Sequence, residues 1–393
     1  AVHDGDTVNV APDGDFAIRF LGVDTAERSF DFPLRAGEPP RENPLFLSLS
    51  NAEWETFLSD PFSNDWRPFN PPLDAALRAN LQARTGAGAA GNHDVWARAG
   101  ERLLEDEIER DRADRSLALA DFRFFLAFAF EVMDGYGRLL CFLNVSEPDR
   151  ARRPEDYNLR MLRAGLAVPY FIWPNIDPFL RASSFVQAAG GPGPLREAIA
   201  SSRSLRNARE AAAAARAARE GVFSADNPLR VMPFELRFLA RRTPPNRWVI
   251  GLSADDDRLH APQSYVAIPN AEDRLFLPSE YVPLFLENGW RRASSSHALK
   301  NDHAVGRQHG GQAAVCGVNP AVIYQPEAPI DVGVAVEYFL PGTVGDRRVL
   351  DSIARSEVVS VRACHHQNVL RALPSPERQH AVRVVHMQDV ERV

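Results

Sequence analysis

Residues 3–27 read HDGDTVNVAPDGDFAIRFLGVDTAE, and their pattern decides how the rest of the chain is read. The alternating run around Thr7, Val8, Asn9 and Val10 and the run over 16–23 both have strand character, with Ala-Pro-Asp-Gly-Asp at 11–15 as the turn between them. Antiparallel pairing across that turn brings Asp6 towards Asp24. Asp4, Asp6, Asp24 and Glu27 would then repel one another unless a cation or arginines compensate their charge. A hard metal ion is the simplest compensator, and Arg19 lies in the same run.

Working outward, the chain has 393 residues, long for one compact domain, so two are expected. Hydrophobic residues make up 45%, as in ordinary globular proteins, and no apolar run is long enough for a membrane span. A net charge of −7 argues against a generally basic nucleic-acid coat, so phosphate binding has to come from a local patch of arginines. Lys300 is the only lysine, and arginine suits forked contacts to phosphate. Cys141, Cys316 and Cys364 are too few and too scattered for a disulfide framework or a thiolate cage, and read as packing residues. The chain opens on Ala1-Val2, inside its expected first strand, so the natural N-terminus is expected to precede it and localisation is not read from these residues.

The residues quoted first resemble the staphylococcal nuclease (thermonuclease) family. Its D-G-D-T strand is matched by Asp4-Gly5-Asp6-Thr7. Its I-R-x-x-G-x-D-x-P-E run is matched by residues 18–27, with Ala26 where proline is usual. Proline would stiffen the turn presenting Glu27, so the departure bears on how that carboxylate is held. A third signature, Y-G-R, stands at Tyr136-Gly137-Arg138, and a helix ending in G-L-A at Gly165-Leu166-Ala167. Tyr170 follows where the family carries a pocket tyrosine; from the residues alone, packing and base stacking are equally open to it. A helix over 195–220 closing on Gly221-Val222-Phe223 is similar to the family's last one.

The resemblance implies a five-stranded OB-fold β-barrel with packed helices over residues 1–226. An insertion fills 28–91, and a C-terminal α+β module of unassigned role spans 227–393. The insertion carries Trp54 and Trp66 and either caps the site or packs on the barrel; its aromatic content favours packing. From Asn92, as N-cap, a helix is expected with Val95, Ala99 and Leu103 on one face. Residues 117–132 read as extended, with Phe122, Phe124, Leu126, Phe128 and Phe130 sharing one side, and 139–145 as a further strand led by Arg138. Beyond 226, residues 234–241 and 247–253 read as a strand pair and 279–287 as a short helix stopped by Gly289. Further strands are expected at 332–340, 358–363 and 381–386. His297, His303, His309 and Cys364-His365-His366 lack zinc-motif spacing and read as solvated loop residues, as does the acidic run 255–257.

By the resemblance, the chain is expected to be a calcium-dependent phosphodiesterase or endonuclease acting on single-stranded DNA or RNA and leaving 3′-phosphate ends. Asp6, Asp24 and the Thr25 carbonyl would hold Ca2+, with Asp4 supporting them. Arg19 and Arg138 would fork onto the phosphate, Glu27 would align or deprotonate water, and Tyr170 would line the substrate pocket. The alternative is a non-catalytic nucleic-acid or protein-binding module on the same barrel. The C-terminal module is expected to bind a partner of its own.

Overall fold

The computed structural model describes residues 16–149, 151–177 and 188–293. Asp4, Asp6, the strand expected around Thr7 to Val10, Cys316, the 297–309 and 364–366 histidines and the three strands expected after 330 lie outside them. From Ile18 on, the described residues belong to one compact unit. Among them, no helix is long and apolar enough to cross a membrane.

Strands β1 (Ile18–Phe20) and β2 (Gly22–Asp24) are one extended run that changes sheet at Leu21. Gly22 makes the change possible by taking φ +74°, a conformation that disfavours a side chain. A hairpin of β3 (Ser29–Asp31) and β4 (Phe46–Ser48) follows, then helices α1 (Ala52–Ser59) and α2 (Ala75–Gln82). Helix α3 (Ala89–Asp114) begins at Ala89, ahead of the expected start at Asn92. Asn92 is no cap: its amide donates to Asn227 Oδ1 and the Pro228 carbonyl and accepts from Arg230 N–H. The face of α3 turned inward carries Ala89, Ala90, His93, Ala97 and Gly100, while Val95 is exposed.

Of the long extended run expected over 117–132, only β5 (Phe124–Ala127) is strand; it pairs antiparallel with β6 (Leu139–Val145). Of the five residues expected on one side, Phe122 and Leu126 are buried, while Phe124, Phe128 and Phe130 are half-buried and the last two lie beyond the strand. Helix α4 (Tyr157–Arg163), capped by Asp156 accepting from Leu159 N–H, leads to β7 (Val168–Ile172). The expected helix over 195–220 is two helices, α5 (Pro192–Ser201) and α6 (Arg203–Ala218). Ser202 ends the first and caps the second, its Oγ accepting from Leu205 N–H.

Residues 234–241 are not a strand but helix α7 (Pro233–Arg241). Pro233 stands at its first turn and Glu235 reaches back to accept from Met232 N–H at 2.8 Å, both helix-start signals. Phe234, Leu236 and Phe238 alternate with Glu235 and Arg237, a local period of two that reads as strand. After it come β8 (Trp248–Gly251), β9 (Arg258–Leu259), β10 (Arg274–Leu277), α8 (Val282–Glu287) and β11 (Arg291–Arg292), with α8 ending before Gly289 as expected.

One sheet runs β1-β6-β5 and a second runs β2-β7-β10-β8. Among the described residues these sheets do not close into a barrel. Where the run leaves one sheet for the other, the buried Asn158 spans the gap, donating to the Leu21 carbonyl and accepting from Leu143 N–H. Because β7 pairs with β10, the second sheet crosses the boundary expected at 226. The largest core crosses it too: Phe32, Trp54, Phe57, Trp66, Leu77 and Leu81 of the insertion pack with Phe234, Leu239, Tyr265 and Phe276. Phe57 and Trp66 meet edge-on at 4.9 Å, and each such ring contributes roughly 1.5–3 kcal/mol by leaving water. The insertion is therefore the bed on which α7 lies.

A tight crossing ties the end of α6 to the turn after α4. Gly165 and Gly221 both have positive φ, and Val222 N–H donates to the Gly165 carbonyl at 2.8 Å. A Cβ on Gly221 would lie 2.1 Å from Gly165 O, and one on Gly165 2.6 Å from Glu220 O.

Candidate functional site

The described part of the quoted stretch converges. Arg19, on β1, reaches Asp24 at the end of β2, Nη2 donating to Oδ1 at 2.6 Å. Asp24 is fully buried, whereas Arg19 remains 28% exposed. Arg237, on α7, was not anticipated: it donates to both oxygens of Asp24, at 2.9 and 2.8 Å, and to Glu27 Oε1 at 2.7 Å. Two guanidiniums and two carboxylates thus compensate one another within a patch only 15–28% exposed at its rim. Burial works against the Arg237 charge, yet Asp24 and Glu27 outweigh it and raise its pKa above the usual arginine value.

The turn from Asp24 to Glu27 is held without the missing proline. Ala26 is buried against Ala97, Val168, Val222 and Leu229. Glu27 N–H donates to His93 Nε2 at 2.8 Å, which leaves the neutral ring's proton on Nδ1. His93 is fully buried on α3, and that burial pushes its pKa down to about 4. Next along the chain, Arg28 pairs with Asp94 and Glu101, binding the turn to α3 a second time.

Arg138 is held within its own turn by Asp134, at 2.8 and 2.7 Å, and lies over the Tyr136 ring. Burial opposes the Asp134 charge, but Arg138 and the turn's amides outweigh it and lower its pKa. The register pairs Arg19 with Leu140, so alternation places Arg138 and Arg19 on one face of the β1–β6 pair. Their side chains are not bonded to a common partner among the described residues. Arg241, one turn beyond Arg237 on α7, donates to the exposed Tyr136 hydroxyl at 3.0 Å. A surface cleft of about 640 Å³ flanks Arg241 and Arg242 and does not include Asp24 or Glu27.

Tyr170 is buried on β7. Its ring stacks on Phe234 at 5.3 Å and its hydroxyl accepts from Arg247 at 2.7 Å, so one ring face is already covered. Cys141 is buried, and burial pushes its thiol up to about 12, consistent with packing.

Asp6, one of the expected calcium ligands, lies outside the described residues, which leaves Asp24 and the Thr25 carbonyl to be tested against a metal. These do not fit one as arranged, because both Asp24 oxygens already accept from guanidiniums. No group of three or more His, Cys, Asp or Glu side chains that could hold a metal is found among the described residues.

His93 and Arg237 were missed by sequence reasoning. His93 is an isolated histidine in a helix, and Arg237 lies 213 residues from Asp24 in a segment misread as strand. The helix-start pair Pro233 and Glu235 is the signal that would have placed Arg237 on a helix face. No family model matches the chain, and no curated protein matches it.

Proposed function

We propose that the chain is a phosphodiesterase that cleaves nucleic acid, DNA or RNA, at the face where Arg19, Asp24 and Glu27 meet. The observation carrying this reading is their convergence: three charged residues of one short run, named by the resemblance, form one hydrogen-bonded cluster with a partly open rim. Phosphodiester attack is slow because an anion repels the nucleophile and charge builds on the phosphoryl oxygens. Arg19, and Arg138 once its fork leaves Asp134, would supply donors to those oxygens. Glu27, one-fifth exposed, stands where its carboxylate can take the proton of an attacking water. Water oxygen bonds to phosphorus as the bond to the 5′ oxygen breaks, leaving a 3′-phosphate and a 5′-hydroxyl whose proton comes from solvent. The resemblance adds Ca2+ on Asp6, Asp24 and Thr25, and no step of this scheme runs through it.

A second reading, a nucleic-acid-binding module without catalysis, is favoured by one observation: Arg237 engages both carboxylates. Labelled single-stranded DNA and RNA incubated with the full chain, with calcium or with chelator, separate the two. Cleavage to 3′-phosphate ends is expected. Retarded but intact substrate under every condition would leave the binding module. Ends bearing 5′-phosphate would mean that Glu27 and Arg138 are misplaced relative to the scissile bond, and full activity in chelator would show that the calcium implied by the resemblance is not needed.

A further inference from the structure

We propose that the guanidinium of Arg237, carried in by α7, is the resident cation of the Asp24–Glu27 pair, so that this site takes its central positive charge from the chain instead of a divalent ion. The inference rests on the geometry of the pair and does not require that the chain cleave nucleic acid.

The first support is stereochemical. A divalent ion binds carboxylate oxygens through the in-plane lone pairs. In Asp24 three of about four are occupied, which leaves no bidentate seat: Oδ1 accepts from Arg19 Nη2 and Arg237 Nη1, and Oδ2 from Arg237 Nη2. The same Arg237 Nη1 also reaches Glu27 Oε1, so one planar group spans both carboxylates as a bridging metal would.

The second support is that Arg237 is not a rim side chain free to swing aside. Its helix is fixed on both flanks of the residue. Phe234 stacks on Tyr170, Phe238 and Leu239 are buried in the largest core, and Glu235 is gripped by Arg84 and Tyr265. Withdrawing Arg237 would strand Asp24 in the interior with Arg19 as its remaining cation partner among the described residues, a costly state for a buried carboxylate. A plug that lifts for substrate would need a loose hinge, and α7 is the opposite.

Calcium titration by calorimetry on the full chain, without substrate, tests this directly. The wild-type protein is expected to show no calcium uptake that Asp24→Asn removes. Arg237→Gln frees the carboxylates and should gain a calcium site at least about tenfold tighter than anything in the wild type, lost again in the Arg237→Gln, Asp24→Asn double variant. Should Arg237→Gln fail to fold, Arg237→Lys keeps the charge but drops the fork, and is expected to show a smaller gain of the same dependence. Wild-type calcium binding that depends on Asp24 and is no weaker than in either variant would overturn the proposal. A chain with the expected titration but no cleavage keeps this inference and loses the hydrolytic one. Calcium-dependent cleavage with no gain in the variants does the reverse.

Discussion

Helix α7 serves two buried carboxylates, and they differ in what surrounds an otherwise similar ion pair. Glu235 takes both terminal nitrogens of Arg84 at 2.7 Å, and Asp24 takes both of Arg237 at 2.9 and 2.8 Å. Around Glu235 the remaining positions are closed by the Tyr265 hydroxyl and Met232 N–H, inside the largest core. Around Asp24 the network leads outward through Arg19 and Glu27 to water. A forked pair whose carboxylate is closed off by protein, even though its arginine reaches the surface, fixes the insertion to the C-terminal segment. One that opens at its rim leaves charged groups able to meet a ligand.

The largest expected effect lies on the sealed side. Glu235→Ala leaves the Arg84 guanidinium and the Tyr265 hydroxyl without their buried partner and should cost about 3–5 kcal/mol, read from urea unfolding, while the folded fraction retains its activity. On the open side the balance reverses: under the proposed hydrolysis, Arg19→Lys or Arg138→Lys should lower turnover roughly 100- to 1,000-fold with little change in the unfolding midpoint. Near-normal turnover in either would remove that arginine from the chemistry.

Between the two stands His93, sealed like Glu235 but bonded to the turn that carries Glu27. Its folded pKa, about 4, is below the ordinary 6.5, so the folded state resists protonation that the unfolded chain accepts. Its contribution is fully present above pH 6.5 and is lost as the pH falls towards 4, by about 2–3 kcal/mol. Unfolding measured at pH 7 and pH 4.5 should show this loss, and His93→Gln should shrink it; an identical pH profile in the variant would exclude His93 as its source. The smallest effect belongs to the exposed rim, where Tyr136→Phe removes one bond from Arg241 and should weaken binding of single-stranded nucleic acid roughly twofold to tenfold without touching stability.

The same contrast explains what the sequence let be read. Residues 18–24 and 139–145 are short, strongly patterned and local, and strands form there, although the first run is split between two sheets. Asp24, Arg19 and Glu27 are close in the chain, but they meet because the run turns at Gly22 and Arg237 bridges Asp24 to Glu27, and neither shows in the local pattern. Arg237 and Glu235 belong to a helix enclosed by residues from the insertion and from β8 and β10. Its apolar residues do gather on one helical face, but Phe234, Leu236 and Phe238 also alternate with Glu235 and Arg237, and that local period of two reads as strand. On α3 the inward face is built of Ala, Gly and His, residues whose apolar signal is weak beside the exposed Val95. The break at Ser202 was hidden because alanine-rich helix former continues on both sides of it.

The crossing of Gly165 and Gly221 bears on how this chain can change over time. Each position is closed by the other's backbone or its neighbour's, which no substitution at the opposite site can trim away. Second-site rescue is therefore shut off, and a saturation library should retain glycine alone at both. Separated by 221 − 165 = 56 residues, the two form an address that survives when side chains have drifted, by which distant kin of this chain can be recognised.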